Sequence, residues 1–461
     1  MPAPRKYDLT RGPIFKRLVL ISVPIMATSF MQMAYNLTDM FWMGRLSSAS
    51  VAAVGTAAMY LWLSMAFVMI GRMGAEIGVS QYMGKGDGEG AARFSNNAFW
   101  VAVCLGIVYT AIMIAARGPL IAFFNIEDTQ VVREAERYLA VSALALPLIF
   151  VHNIFTGVFN GFGNTKLPFY INSIGLIVNI LLSPVLIFSF PVEIGGISFT
   201  FGAGLGITGA ALGTVFASAV NLALKLWAMK KYRNRPFETY RYIVRPCMDT
   251  IRQIFKWGIP IAVESMLFTF LFMVMARLIA DFGTGAIAAH RVGYQVEALA
   301  YLVGGGFASA ITAYMGQNFG ASRWDRIKTG YRLGVAAMGI YGVLMAAFLF
   351  LLAEPLVAIF LSCPEEIRIG GDYLRVISFT QILGCMEGVA AGAFRGQGQT
   401  VKPSIVSITG NILRVILTYA LVRFWGLNGI WYGIAIAVTI RGAWLMGWYY
   451  FYMRKRGDVH D

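Results

Sequence analysis

Long apolar stretches, broken at intervals by short polar turns, fill almost the whole chain. A helix rises about 1.5 Å per residue, so about 20 mostly apolar residues cross a hydrocarbon core about 30 Å thick. Twelve segments meet that length: residues 15–43, 50–82, 94–117, 133–161, 166–190, 203–229, 251–281, 286–315, 326–353, 367–395, 401–424 and 427–453. The ninth is the cleanest, with no charged residue between Gly334 and Ala353. The first begins after Arg11, Lys16 and Arg17 and runs past Met43, too long for the core of a signal peptide. The pattern predicts an all-α polytopic membrane protein with twelve transmembrane helices.

The turns orient the spans. Lysine and arginine gather at Arg5, Lys6, Arg11, Lys16 and Arg17, in the sixth connection (Lys230, Lys231, Arg233, Arg235, Arg241, Arg245), in the eighth (Arg323, Arg326, Lys328) and at Arg454, Lys455 and Arg456. With twelve spans these all fall on one side. The opposite turns are short or acidic, with Glu127, Asp128, Glu193, Glu365 and Glu366. Cytoplasmic loops carry the excess of cations, so both termini are expected in the cytoplasm and the chain in the cell (inner) membrane.

The pattern also repeats. Ser22-Val-Pro24-Ile returns as Gly258-Ile-Pro260-Ile, Tyr82-Met-Gly84 as Tyr314-Met-Gly316, and Phe159-Asn-Gly-Phe-Gly-Asn-Thr165 as Phe394-Arg-Gly-Gln-Gly-Gln-Thr400. Gly206, Gly209 and Gly213 match Gly426, Gly429 and Gly433 in the same order. Six helices have been duplicated. An even number keeps both halves in the same orientation, which predicts two six-helix lobes related by a pseudo-twofold axis along the membrane normal. The expected division is an N-terminal lobe over 1–230, a basic cytoplasmic linker over 231–250 and a C-terminal lobe over 251–461.

Composition agrees. Of 461 residues, 58% are hydrophobic and 13% charged, against about 25% charged in soluble domains. The net charge of +15 sits in turns between apolar runs, which argues for a lipid bilayer and against a nucleic-acid partner. The four cysteines are scattered, without metal-type spacing. There is no phosphate-binding GxxxxGK[ST] loop, so no ATP is expected to drive this chain; no HExxH, paired CxxC or GxSxG constellation points to an enzyme.

Polar groups inside spans carry the chemistry, because an ionisable side chain at mid-helix costs about 2.5–3.5 kcal/mol on insertion scales. Asp39 shares a helical face with Gln32 and Tyr35, and Asn36 adjoins it. The bland alternative is an Asp39 near the outer end of the helix that pairs with Arg45 or snorkels to water. The fourth span has a stripe of Asn153, Thr156 and Asn160, the fifth Asn172, Asn179 and Ser183, the sixth Thr214, Ser218 and Asn221. Such faces also serve as interhelical glue. Converging with Asp39, they suit a hard cation such as Na⁺, or a proton on the acid. The second half differs, with Glu264, Glu297 and Glu387, and with Asn411, Arg414 and Thr418 on one face; Arg414 could neutralise Glu387 or Glu297. His152 and His290 read as packing residues and His460 lies in the tail.

Four pieces carry a family resemblance: Leu37-Thr-Asp-Met-Phe41, Ala288-Ala-His-Arg-Val292, Gly316-Gln-Asn-Phe-Gly-Ala321 and Gly392-Ala-Phe-Arg-Gly-Gln-Gly-Gln-Thr400. With them the chain resembles, over nearly its whole length, the multidrug and toxic-compound extrusion (MATE) family, and most closely its DinF-like prokaryotic branch. The resemblance implies an antiporter that exports cationic or amphipathic drugs by alternating access in exchange for Na⁺ or H⁺, with no other cofactor, and working as a monomer. It implies a coupling site in the N-terminal lobe built on Gln32, Tyr35, Asp39, Asn153, Asn179 and Thr214. Where the family often has a second acid, this chain has Ser183 before Pro184. That leaves Asp39 the sole acid, with Asp39, Asn179, Ser183 and Thr214 as the candidate Na⁺ ligands and Thr156 beside them. Glu264 does not match the glutamate of a NorM-like branch, so the C-terminal acids Glu264, Glu297 and Glu387, with Arg414, rank second. A lipid-linked saccharide flippase of the same superfamily is the related alternative, and an ion channel or membrane scaffold the unrelated one.

Overall fold

A computed structural model describes residues 7–194, 197–231, 236, 237, 240 and 244–457. Arg5, Lys6, Arg233, Arg235, Arg241 and His460 lie outside the described residues, as do the side chains of Asn36, Glu193 and Arg456. The chain runs α1 (Ile14–Leu46), α2 (Ser48–Gly84), α3 (Gly88–Ala115), α4 (Arg117–Ala122), α5 (Thr129–Ala143), α6 (Leu146–Phe162) and α7 (Lys166–Ile187). A hairpin of β1 (Phe190–Ile194) and β2 (Ile197–Phe201) follows, antiparallel, with Phe190 opposite Phe201 and Ile194 opposite Ile197. Then come α8 (Ile207–Lys231), α9 (Met248–Ala280), α10 (Thr284–Gly320), α11 (Trp324–Leu351), α12 (Ala353–Ala358), α13 (Pro364–Ser378), α14 (Thr380–Gly396) and α15 (Val401–Gly457).

Among the described residues, nine helices are long and apolar enough to cross a membrane. The pairs α5–α6 and α13–α14, bent by 45° and 50°, each supply one more span. The 57-residue α15 is two limbs joined at Gly426, whose φ of 54° and ψ of −135° suit a residue without a Cβ. Counted so, the helices are the twelve predicted from the apolar runs. The breaks have local causes. Pro147 in the first turn of α6 has no N–H to offer the preceding turn, so α5 stops before it. Between α13 and α14, Ser378 and Thr380 donate their hydroxyls to the carbonyls of Arg375 and Ile377, both at 2.7 Å, which competes with the backbone ladder.

The chain divides into two compact units, and the division does not follow the basic linker. One unit comprises Met1–Tyr7, Ala27–Val79 and Asp87–Gly258; the other comprises Asp8–Met26, Ser80–Gly86 and Ile259–Asp461. The boundary at 230–250 expected from the sequence therefore moves to the repeated prolines: α1 changes unit between Met26 and Ala27, beside Pro24, and α9 between Gly258 and Ile259, beside Pro260. At 33 residues each, these helices are about 50 Å long and outrun a hydrocarbon core of about 30 Å. Their ends therefore pack by different rules from their middles. In the second unit, residues 8–12 are pinned to the end of α10: Leu9 N–H donates to Gln317 Oε1 at 2.9 Å, and Arg326 donates to the carbonyls of Leu9 and Gly12 at 3.2 and 3.0 Å.

Candidate functional site: a polar seam in the first unit

α7 and α8 pack as an antiparallel pair whose polar stripes face each other. Gly213 lies where a Cβ would stand 2.6 Å from Ser183 Oγ, and Gly175 where one would overlap the Asn221 amide. Asn172 accepts from Lys225 Nζ at 3.0 Å. Small residues at the contact let two backbones approach and bring polar side chains into register. The outcome is a seam of Ser183, Asn179 and Asn172 on α7 against Thr214, Ser218, Asn221 and Lys225 on α8.

At one end of the seam stands Asp39. Asn179 lies close enough to act on the Asp39 carboxyl, and its Nδ2 donates to Tyr35 Oη at 3.0 Å. The Thr214 hydroxyl reaches Tyr35 and donates weakly to the Ala210 carbonyl at 3.4 Å. Asn179 and Ser183 are almost fully buried, at 0% and 1% exposure. Three buried oxygens here have no hydrogen-bond partner: Asp39 Oδ1, Asn179 Oδ1 and Ser183 Oγ. A mid-helix serine ordinarily donates to the carbonyl one turn back; Ser183 does not. Pro184 next to it lacks the N–H that would close on the Ile180 carbonyl. Buried oxygens left unpaired cost about 1–3 kcal/mol each, so a cluster of them on one carboxylate is a socket for something that accepts no hydrogen bond or brings one. One carboxylate with neutral oxygens suits a monovalent hard cation or a proton. Among the described residues no three His, Cys, Asp or Glu side chains gather as a metal site.

Four of the predicted residues, Tyr35, Asp39, Asn179 and Thr214, thus lie together, with Asn179–Tyr35 the hydrogen bond among them, and Ser183 adjoins them on the face of α7. The Arg45 alternative fails on geometry, because that guanidinium lies over the Phe41 ring, 5.0 Å from its centroid. Gln32 is exposed and joins none of these groups. Asn153 donates to the Ile149 carbonyl of its own helix at 2.9 Å. Thr156 belongs elsewhere. Its hydroxyl accepts from Lys225 Nζ at 2.7 Å and donates to the His152 carbonyl at 3.1 Å. Lys225, fully buried, also meets His152 Nδ1 at 3.2 Å and the His152 carbonyl at 3.1 Å. The sequence reading passed over Lys225 and took His152 for packing. The stripe Thr214, Ser218, Asn221 continues to Lys225 at the next helical step, and that spacing was the available signal.

The second unit distributes its acids differently. Glu387 pairs with Arg441 at 2.8 Å, and Glu264 with Arg395 at 3.2 Å while accepting from Ser404 at 2.9 Å. Tyr373 donates a short hydrogen bond to Glu297. Arg414, expected to neutralise Glu387 or Glu297, makes no ion pair among the described residues; Arg441 has taken Glu387, and Tyr373 bonds Glu297. The distinction lies in which limb of α15 supplies the cation, a choice that depends on the register of the two limbs across Gly426.

Comparison with known proteins agrees with this architecture. The MatE family model matches residues 24–185 and 260–420, one segment for each half of the repeat. The probable multidrug resistance protein NorM of Thermotoga maritima is 25% identical over 431 residues, covering 93% of this chain and 90% of the relative. Multidrug resistance protein PmpM of Pseudomonas aeruginosa is 25% identical, covering 92% of this chain and 88% of the relative. A crystal structure of MATE in the bent conformation superposes with a TM-score of 0.90 at 21% identity, covering 98% of each chain. A transporter of the MOP superfamily from Pyrococcus furiosus superposes with a TM-score of 0.87 at 22% identity, over 98% of this chain and 99% of that one. The chain is a multi-pass membrane protein and belongs to the MatE family, a family of transporters and not of enzymes.

Proposed function

We propose that this protein is a cation-coupled antiporter that exports amphipathic or cationic compounds across the cell membrane in exchange for Na⁺ or H⁺. Both termini lie in the cytoplasm in this reading, as the cationic turns require. The observation that carries it is the cluster of unpartnered buried oxygens, Asp39 Oδ1, Asn179 Oδ1 and Ser183 Oγ, inside one unit of a transporter fold. The names of the relatives, multidrug resistance proteins, support drug-like cargo.

In this mechanism the coupling ion enters from outside and binds at Asp39, with Asn179, Ser183 and Thr214 completing its oxygen shell. An ion there neutralises the carboxylate and satisfies the orphaned oxygens, which favours the ion-bound packing of α1, α7 and α8. Cargo bound in the opposite state then loses affinity. Exchange needs that linkage, because a ligand shifts an equilibrium only by its differential affinity for the two states. The test is counterflow in proteoliposomes, with ethidium as cargo and a Na⁺ or a pH gradient imposed separately. Wild type should move ethidium under at least one gradient, and Asp39→Asn under neither. An Asp39→Asn variant that transports at the wild-type rate under both would remove Asp39 from the mechanism.

A further inference from the structure

Lys225 is the buried cation that the coupling reading leaves unused. Its Nζ meets four groups: the Thr156 hydroxyl at 2.7 Å, the Asn172 amide oxygen at 3.0 Å, the His152 carbonyl at 3.1 Å and His152 Nδ1 at 3.2 Å. None is a carboxylate. Arg72 is the charged side chain that acts on both Lys225 and His152. It is held on α2 where that helix packs against Gly157 of α6. Its Nε has no partner among the described residues. Glu76 is buried one turn along α2 from Arg72 and has interactions of its own, and Glu134 and Glu136 lie on α5. A fixed ammonium inside a membrane normally bonds a counter-charge or has a catalytic task, and all four groups that Lys225 Nζ bonds are neutral.

The cradle fits Lys225 in two states. As an ammonium, its three N–H groups donate to Thr156 Oγ1, Asn172 Oδ1 and the His152 carbonyl, with His152 Nδ1 an unprotonated neighbour. As a neutral amine, it keeps two N–H groups, and its lone pair accepts from a protonated Nδ1. Neither state strands the nitrogen of Lys225. The two differ by one proton, and the imidazole can carry it. A proton joins His152 Nε2, the Nδ1 proton passes to the Lys225 lone pair, a new Nζ–H bond replaces Nδ1–H, and the ring ends as its other neutral tautomer. The reverse sequence releases the proton from Nε2.

We propose that Lys225 and His152 form a second proton-binding site of the transport cycle, separate from Asp39. It stands at the other end of the α7–α8 seam, about 16 Å along the helix from Thr214 and about 9 Å from the basic end of α8. Asn221 lies between, its Oδ1 buried and unpartnered. The site occupies the half of the bundle next to Lys230 and Lys231, at the end of the seam opposite Asp39.

This deepens the antiport reading, since cargo binding is the trigger for proton exchange, and the test lets the two fail separately. Purified protein in weakly buffered detergent is titrated with ethidium to saturation, and released protons are counted with an indicator dye. Wild type should release protons. Lys225→Met, which has no ionisable group, and Lys225→Arg, which folds around a permanent cation, should each release about one proton fewer. In proteoliposomes, pH-driven ethidium transport by both should fall on the order of tenfold, the usual scale of a coupling term. Equal proton release by wild type and both Lys225 variants overturns the proposal, as does a wild type that releases none. Asp39→Asn is scored in parallel: if it alone loses protons, the Asp39 reading stands without Lys225, and if the Lys225 variants alone lose them, the reverse holds.

Discussion

The two halves of the repeat set a buried cation against one corresponding position and complete it in opposite ways. His152 and Glu387 each lie seven residues before the phenylalanine of the repeated motif, Phe159 and Phe394. In the second unit Glu387 holds Arg441 at 2.8 Å, where Arg441 packs over Gly410. In the first, His152 holds Lys225, and Asn221 packs over Gly175. Ser183 and Thr418 also correspond, one against Gly213 and the other against Gly433. Thr418 donates to the Arg414 carbonyl at 2.7 Å, whereas Ser183 Oγ has no partner. At these positions the second unit pairs its charge and its hydroxyl. The first has left equivalent positions open or paired a cation with a neutral ring. One repeated six-helix plan thus carries paired charges at these positions in one half and, in the other, the unpartnered oxygens on which the proposed ion coupling rests.

The sharpest way to break that contrast is to open the closed half. Glu387→Ala removes the carboxylate that Arg441 bonds at 2.8 Å, and losing one partner of a buried pair costs about 3–5 kcal/mol. Thermal unfolding in detergent should show a large drop in midpoint, mostly recovered in Glu387→Ala with Arg441→Leu. A midpoint unchanged in the single variant would mean that the pair is not what holds the second unit closed.

The converse change closes the open half. His152→Glu gives Lys225 the carboxylate that Arg441 has. The variant should fold at least as stably as wild type, yet its pH-driven transport should fall on the order of tenfold, because the ammonium becomes permanent. Wild-type transport by this variant would show that exchange at Lys225 is not required.

A smaller effect separates the two hydroxyls. Ser183→Ala removes one oxygen from the Asp39 socket and should weaken cation affinity about fivefold to tenfold, about 1–1.5 kcal/mol. Thr418→Ala removes a satisfied hydroxyl and should leave transport unchanged. Titrating the activating cation against ethidium efflux reads both, and equal effects would erase the distinction between the halves.

Much of this was legible in the chain. Apolar runs of membrane length fixed the spans to within a few residues, and the repeated Pro24 and Pro260 motifs marked the duplication. Helical spacing put Tyr35 and Asp39 on one face of α1, the resemblance pointed to Asn179 and Thr214, and the structure adds the Asn179–Tyr35 hydrogen bond. What escaped the reading depends on interhelical register. Lys225 sits about one and a half turns before Lys230 and Lys231 and merges with the basic end of the span, although its place on the Thr214–Ser218–Asn221 stripe points inward. The partners of Glu264 and Glu387 lie 131 and 54 residues away, and periodicity within one helix cannot choose between Arg414 and Arg441. The unit boundary at Met26 and Gly258 escaped because it falls inside continuous helices, where composition does not change.

The most direct test of the central claim is a linkage titration at equilibrium. The affinity of the purified protein for ethidium is measured at rising Na⁺ and, separately, at falling pH, for wild type and for Asp39→Asn. The account predicts that wild-type affinity falls on the order of tenfold as the coupling ion fills its socket, and that the Asp39→Asn affinity stays flat. A variant whose affinity responds to both ions as wild type does would contradict it.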